Sequence, residues 1–112
     1  MLAKNCRLTK QKEIERVFKG GKGSFDKIIG VKAVSQEQEL PRFGIVVSTK
    51  VSRQAVIRNK VKRRIRDVLK NHLNLIKKNQ DILIIALPGI KEVEYQDIEQ
   101  SLQKHFKKLK LI

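Results

Sequence analysis

The chain has 112 residues, 26 of them Lys or Arg against 11 Asp or Glu, which gives a formal net charge of +15. This length suits one domain over residues 1–112 whose core needs no disulfide, and the single cysteine, Cys6, excludes an internal one. So large a cationic excess predicts a polyanionic partner: nucleic acid, an anionic membrane surface or an acidic protein.

The first part of the chain predicts one helix and a glycine-rich connection. Ile14, Val17 and Phe18 stand at helical spacing, which predicts a helix over about residues 10–19 with Thr9 as its N-cap. Gly20-Gly21 is expected to end this helix in left-handed backbone. The turn that follows has room for a short strand near residues 24–26.

Apolar, β-branched stretches predict the sheet. Ile28–Val34 predicts a strand interrupted by Gly30, and Arg42–Thr49 predicts a second strand that pairs with it as a hairpin. Residues 35–41 between them are polar and predict a loop. The continuous apolar run Asp81–Leu87 predicts a central strand that is buried on both faces and ended by a Pro-Gly pair.

Two more helices complete the predicted fold. Ser52 is expected to cap a long helix that runs to about Leu75, and Ile98 and Phe106 share one face of a last helix over about residues 95–109. The order helix, two or three strands, helix, strand, helix predicts an α+β two-layer sandwich in which one sheet carries the helices.

The long helix combines a buried stripe with a basic surface. At about 100° per residue, its apolar residues and His72 share one side. Residues 53–66 contain seven cations and no acid, although like charges at i,i+4 destabilise a helix by a few tenths of a kcal/mol per pair. A phosphate backbone that neutralises them explains this pattern. The residues expected to bind RNA are Lys50, Arg53, Arg58, Asn59, Lys60, Lys62, Arg63, Arg66 and Lys70.

Other interpretations of this helix stay open on the residues alone. It could be a merely solvated basic face, or an amphipathic helix that lies on a membrane or binds calmodulin, although the fold needs its apolar stripe for the core. The aromatic residues are few and are expected mostly in the core. This favours a folded RNA recognised by shape and backbone over a single strand recognised by stacking.

Several segments resemble the protein subunit of bacterial ribonuclease P. Arg42-Phe-Gly-Ile-Val-Val-Ser-Thr-Lys50 is similar to the family strand R-x-G-φ-x-V-S-K-K, where φ is apolar. The segment 55–66 is similar to the family helix A-φ-x-R-N-x-φ-K-R-x-φ-R, called the RNR motif. Arg7-Leu8 with Val17-Phe18-Lys19, and Tyr95 with Ser101-Leu102, are similar to the family's terminal patterns, so the resemblance spans essentially the whole chain.

The resemblance implies the order α-β-β-β-α-β-α with a left-handed crossover through the basic helix, a ribosomal protein S5 domain 2-like fold. It implies a protein that binds a catalytic RNA and the 5′ leader of precursor tRNA, while the RNA and its Mg²⁺ remove the leader. It also implies a monomer when free, one protein per RNA, no organic cofactor and no membrane. An unpaired thiol and the absence of a visible signal peptide or apolar span favour the cytoplasm.

The implied leader cleft lies between the first helix and the sheet, at Ile14, Phe18, Val31 and Lys32. The family often has aromatic residues at the positions of Ile14 and Val31, a basic residue at Leu87 and Lys at Thr49. Weaker contacts with the leader are therefore expected here, whereas the RNR residues are unaffected.

The sequence predicts no catalytic residue and no metal site in this chain. The acids are dispersed, and neither a Cys/His zinc spacing nor a Walker-type glycine loop is present. His72 is expected at the edge of the core, and His105 in solvent or facing RNA. Three hypotheses remain: an accessory subunit of a ribonucleoprotein endonuclease, which is preferred, a structural module such as a ribosomal protein, or a nuclease in its own right.

Overall fold

The computed structural model describes residues 7–37, 41–72, 75–76 and 79–112. The predictions for Cys6 and for the centre of the 35–41 loop lie outside these ranges. The described elements confirm the α+β class. In chain order they are α1 (Gln11–Gly20), β1 (Lys22–Phe25), β2 (Ile29–Ser35), β3 (Arg42–Val46), α2 (Ala55–His72), β4 (Gln80–Ala86), a 3-10 turn (Pro88–Glu92) and α3 (Tyr95–Lys108).

The four strands form one sheet in the order β1-β2-β4-β3. β2 is antiparallel to both β1 and β4, whereas β3 runs parallel to β4. The predicted β2–β3 hairpin is therefore wrong, because the apolar strand β4 lies between them. Parallel neighbours need a long crossover connection, which α2 supplies; the hand of this crossover stays a prediction. β3 ends at Val46, three residues before its predicted end, and α2 is described as far as His72.

Alternation along the strands gives the sheet two different faces. On one face, β2 and β4 contribute to the main core, which α2 and α3 cover with residues such as Ile65 and Leu102. On the other face, Leu8, Val17 and Leu83 form a smaller core under α1. α1 and α2 therefore lie on opposite faces of the sheet. None of the described helices is long and apolar enough to cross a membrane.

The predicted helix caps differ from those observed. Lys10, not Thr9, occupies the N-cap position of α1, and its side chain makes no capping hydrogen bond. Ser52 Oγ accepts a hydrogen bond from the Gln54 N–H at 3.1 Å, ahead of α2, in which the Arg58 N–H donates to the Gln54 carbonyl. Hydroxyl side chains hydrogen-bond to nearby backbone in turns as well as at helix caps. The sequence alone therefore did not show which of these two roles Ser52 has.

α1 ends at a point of close approach rather than in left-handed backbone. Gly21 has φ −82°, and no described glycine has positive φ. A Cβ on Gly21 would lie 2.6 Å from the Val17 carbonyl oxygen and 2.9 Å from that of Ala33. The missing side chain at Gly21 thus lets α1 and β2 approach each other closely.

Candidate RNA interface

α2 packs on the sheet through the predicted apolar stripe. Val61, Ile65, Val68 and Leu69 are each at most 5% exposed, which confirms that stripe and turns the polar side of the helix outward. Lys62 is half-buried at the border. The predicted RNA-binding residues that are exposed on α2 are Asn59, Lys60, Arg63, Arg66 and Lys70.

This outer side carries unneutralised positive charge. In the described part of the chain, no salt bridge involves any of the cations from Arg53 to Arg66. Cations that lack an acidic partner can each donate to phosphate oxygens, and Arg can do so with two parallel hydrogen bonds. We term the predicted set from Lys50 to Lys70 the RNR surface.

Arg58 also organises the loop in front of α2. Its half-buried side chain donates from Nη1 to the carbonyls of Ser52 and Arg53, at 2.9 Å each. A guanidinium group has five N–H donors, so others remain for RNA. Lys50 and Arg53 are exposed on this loop. The loop and the first turns of α2 therefore present one continuous basic surface.

A second candidate surface lies between α1 and the strands β1 and β2. Phe18 of α1 is 52% exposed and Phe25 of β1 is 51% exposed. Lys32 Nζ donates to the Phe18 carbonyl at 2.6 Å and lies 4.7 Å from the centroid of the Phe18 ring, a cation–π contact. Ile14 is half-buried against the small core. We term Ile14, Phe18, Phe25 and Lys32 the cleft group.

The structure changes the predicted cleft at two positions. Val31 is 0% exposed in the main core, because its side chain points away from α1, whereas the next residue, Lys32, points to the cleft. Phe25 was missed. It pairs with Gly30, where a Cβ would come 2.1 Å from the Phe25 ring, so the ring lies over the glycine. An isolated glycine inside an apolar strand was the available signal.

A buried charge network holds α1 over the sheet. Asp81 of β4 is fully buried and accepts hydrogen bonds from Arg42 Nε at 2.8 Å and Nη2 at 2.7 Å. Arg16 also pairs with Asp81, and Glu13 pairs with Arg42. The hydrogen bond to Asp81, opposed by burial and reinforced by Glu13, raises the pKa of Arg42. Glu13 and Arg16 belong to α1, so the network fixes one wall of the cleft.

The prediction that His105 faces solvent or RNA is wrong. His105 lies on the side of α3 that packs against β1 and is 1% exposed. Ser24 Oγ lies 2.6 Å from its Nδ1, and Asp26 Oδ2 lies 3.1 Å from its Nε2 without the alignment of a hydrogen bond. Burial lowers the pKa of His105 although Asp26 opposes this shift. These residue types recur in hydrolytic triads, but Ser24 is 4% exposed and out of a substrate's reach. The cluster fastens α3 to the sheet.

The remaining titratable residues offer no metal centre. His72 is half-buried at the edge of the core, as predicted, and its Nε2 lies 3.1 Å from Glu99 Oε2. Within the described ranges, no group of three His, Cys, Asp or Glu side chains is placed to hold a metal ion. The side chains of this part of the chain therefore do not fit a Mg²⁺ site, and none is assigned to one.

Comparison with known proteins identifies the family. The family model described as Ribonuclease P matches residues 2–110. The chain belongs to the ribonuclease P protein family. A ribonuclease P protein component from Alkaliphilus metalliredigens is 33% identical over 108 residues, which cover 96% of either chain. The RNase P protein of Staphylococcus aureus has a TM-score of 0.86 at 33% identity, covering 95% of this chain and 96% of that one. The Thermotoga maritima protein has a TM-score of 0.80 at 27% identity, covering 95% and 96%.

Membership in the ribonuclease P protein family confirms the resemblance seen in the RNR segment. A ribonuclease P protein component is part of an endoribonuclease, and its partner in that ribonucleoprotein is an RNA. The family therefore favours the first of the three hypotheses over a ribosomal protein. It also gives a biochemical context for the RNR surface and the cleft group.

Proposed function

We propose that this chain binds the catalytic RNA of ribonuclease P through the RNR surface and the 5′ leader of precursor tRNA through the cleft group. In this role it assists the endonucleolytic removal of the leader, which gives the mature tRNA 5′ end. The observation that carries the proposal is the run of cations from Arg53 to Arg66, which contains no acid and makes no salt bridge with a described residue.

α2 suits an RNA backbone because it is already rigid before binding. Its apolar stripe is used by the core, so docking requires little additional ordering of the helix. Arg63 and Arg66 project from the opposite side and can hold phosphates with paired hydrogen bonds, and Asn59 adds a donor and an acceptor. Each phosphate contact contributes about 0.7 to 0.9 units of log–log salt dependence.

The cleft group suits an unpaired strand. The exposed rings of Phe18 and Phe25 offer π-faces on which bases can stack, and such stacking contributes about 1–3 kcal/mol per base. Lys32 beside them supplies a cation for the connecting phosphates. The leader of precursor tRNA is single-stranded and absent from mature tRNA, so this group would discriminate between substrate and product.

We assign the hydrolysis to the catalytic RNA and its Mg²⁺. The acids beside the cleft are already engaged, since Arg42 and Arg16 pair with Asp81, and Arg42 pairs with Glu13. A carboxylate held by guanidinium groups is a poor general base. We further propose a cytoplasmic protein that is a monomer when free and binds as one copy per RNA, with no organic cofactor and no membrane.

The test is cleavage of precursor tRNA by a bacterial ribonuclease P RNA at low Mg²⁺, with and without the protein. Arg63→Gln/Arg66→Gln removes two charges from α2, and Lys107→Gln/Lys108→Gln removes two exposed charges from the end of α3 as a matched control. Two phosphate contacts correspond to roughly 25- to 60-fold in affinity at about 0.1 M salt. We expect the parent and the control to stimulate cleavage, and the α2 variant to bind the RNA correspondingly more weakly.

Four other outcomes would contradict the proposal. No stimulation by the parent would refute the function. Stimulation by the α2 variant equal to that of the control would place the RNA interface elsewhere. Turnover of precursor tRNA by RNA-free protein would establish a nuclease in its own right, and co-sedimentation with ribosomal subunits would favour a structural ribosomal role.

A further inference from the structure

The flank of α2 away from Arg66 carries a basic concavity. It has a volume of about 260 Å³ and is lined by Ile57, Lys60, Val61, Arg64 and Lys91. At 3.6 residues per turn, Lys60 and Arg64 lie about 120° and 160° around the helix axis from Arg66. The concavity therefore lies on a different side of α2 from Arg66, across a helix about 10–12 Å wide.

Two structural elements bring these cations together. Lys60 and Arg64 are four residues apart, so they stand above one another on one face of α2. Lys91 comes from the 3-10 turn, which is anchored by Ile90, 1% exposed in the main core, whose N–H donates to the Leu87 carbonyl at 2.9 Å. Because the turn is held in this way, Lys91 faces the helix from a fixed position.

No acid lines this concavity. Lys60, Arg64 and Lys91 form no salt bridge with a described residue. Its apolar lining, Ile57 and the 5%-exposed Val61, lowers the local dielectric, which strengthens both the repulsion among the three cations and their attraction for an anion. A bound polyanion would relieve this repulsion.

We propose that Arg64 and Lys91, together with Lys60 at the edge of the RNR surface, form a second RNA-backbone subsite, so that two stretches of sugar-phosphate backbone straddle α2. The cations would contact phosphates, and the half-buried Ile57 would contact a ribose. This inference rests on the proposed function and extends it. The family helix pattern leaves the positions of Lys60 and Arg64 unspecified and does not include Lys91, so the subsite is additional to the RNR motif.

The test compares Arg64→Gln/Lys91→Gln with the matched control Lys107→Gln/Lys108→Gln. One arm measures binding of the catalytic RNA to the protein against salt concentration, and the other measures binding of precursor tRNA to the assembled complex. In one of the two arms, the loss of two phosphate contacts should reduce the log–log salt slope by about 1.4 to 1.8 units and the affinity by roughly 25- to 60-fold at about 0.1 M salt. The arm that changes identifies the RNA that supplies the phosphates.

Slopes equal to those of the control in both arms would overturn the subsite. Lys91→Gln alone guards against a folding defect, because it lies outside the helix and should still reduce the slope by about 0.7 to 0.9 units. Arg63→Gln/Arg66→Gln is measured in parallel. Weaker binding in that variant alone would reject the subsite but keep the proposed function, whereas absence of stimulation by the parent protein would reject the proposed function itself.

Discussion

Replacing Asp81 by Asn should destabilise the fold strongly. The Asp81 side chain is 0% exposed, and its partners Arg42 and Arg16 are 14% and 46% exposed. Removing one member of a buried ion pair costs about 3–5 kcal/mol. In the variant, water can solvate Arg16, and Arg42 still pairs with Glu13. The loss of unfolding free energy should therefore fall at the lower end of this range, about 3 kcal/mol, out of a typical domain stability of about 5–15 kcal/mol.

Urea unfolding followed by circular dichroism measures this loss. With an m-value of about 1–3 kcal/mol per molar urea, the midpoint should fall by roughly 1–3 M while m stays unchanged. Asp67→Asn is the matched control, because it makes the same charge change on the exposed side of α2 and should alter stability by no more than about 0.5 kcal/mol. Arg16→Gln removes a half-exposed partner and should cost about 1 kcal/mol or less.

An Asp81→Asn variant as stable as Asp67→Asn would refute this reasoning. It would mean that the desolvation of Asp81 and the attraction of its two Arg partners cancel, as some buried pairs do. An Arg16→Gln variant as unstable as Asp81→Asn would instead place the energy in the contact between α1 and the sheet.

Three more predictions concern the approach of α1 to β2, the contact of α3 with the sheet, and the cleft. Gly21→Ala places a Cβ against two backbone carbonyl oxygens, and we expect a loss of about 1–3 kcal/mol in urea unfolding; no loss would show that α1 can move. Since the pKa of His105 is lowered in the folded state, its contribution to stability is present above the unfolded pKa of about 6.5 and is lost as the pH falls below it. His105→Gln should flatten the decline in unfolding free energy below that pH, by at most about 1.4 kcal/mol per pH unit, and an unchanged slope would contradict burial as the cause. Phe25→Ala should weaken binding of precursor tRNA by about 1–3 kcal/mol and leave mature tRNA unchanged; equal losses for both would remove Phe25 from the leader site.

The apolar stripe and the charged face of α2 were predictable from the sequence, whereas the order of the strands in the sheet was not. The stripe through Val61 and Ile65 follows from helical spacing, so the outward direction of the RNR surface was predictable. The β2–β3 pairing was wrong because nothing local indicates that β4, made after α2, inserts between these strands. The predicted cleft included both Val31 and Lys32, but neighbours on a strand point to opposite faces, so only Lys32 faces α1. The resemblance that supplied Val31 did not take this alternation into account.

His105 shows the same limit for side chains. A histidine beside lysines in an amphipathic helix suggests solvent, and only the approach of Ser24 and Asp26 from β1 and the turn after it accounts for its burial. Phe25 shows the reverse case, because a residue expected in the core lies exposed over a glycine of the neighbouring strand. In both cases the deciding partner is distant in sequence or on another strand.

The parallel pairing of Arg42 with Asp81 has a consequence for synthesis of the protein. During translation, α2 leaves the ribosome before β4, the strand that joins β2 to β3 in the sheet. Until β4 is made, the apolar stripe of α2 has no complete sheet to pack on, and the cations of the helix repel one another. Such non-local pairing slows folding. An RNA that binds only the folded protein would stabilise the folded state by mass action. Assembly of the ribonucleoprotein and folding of the new chain are therefore thermodynamically linked.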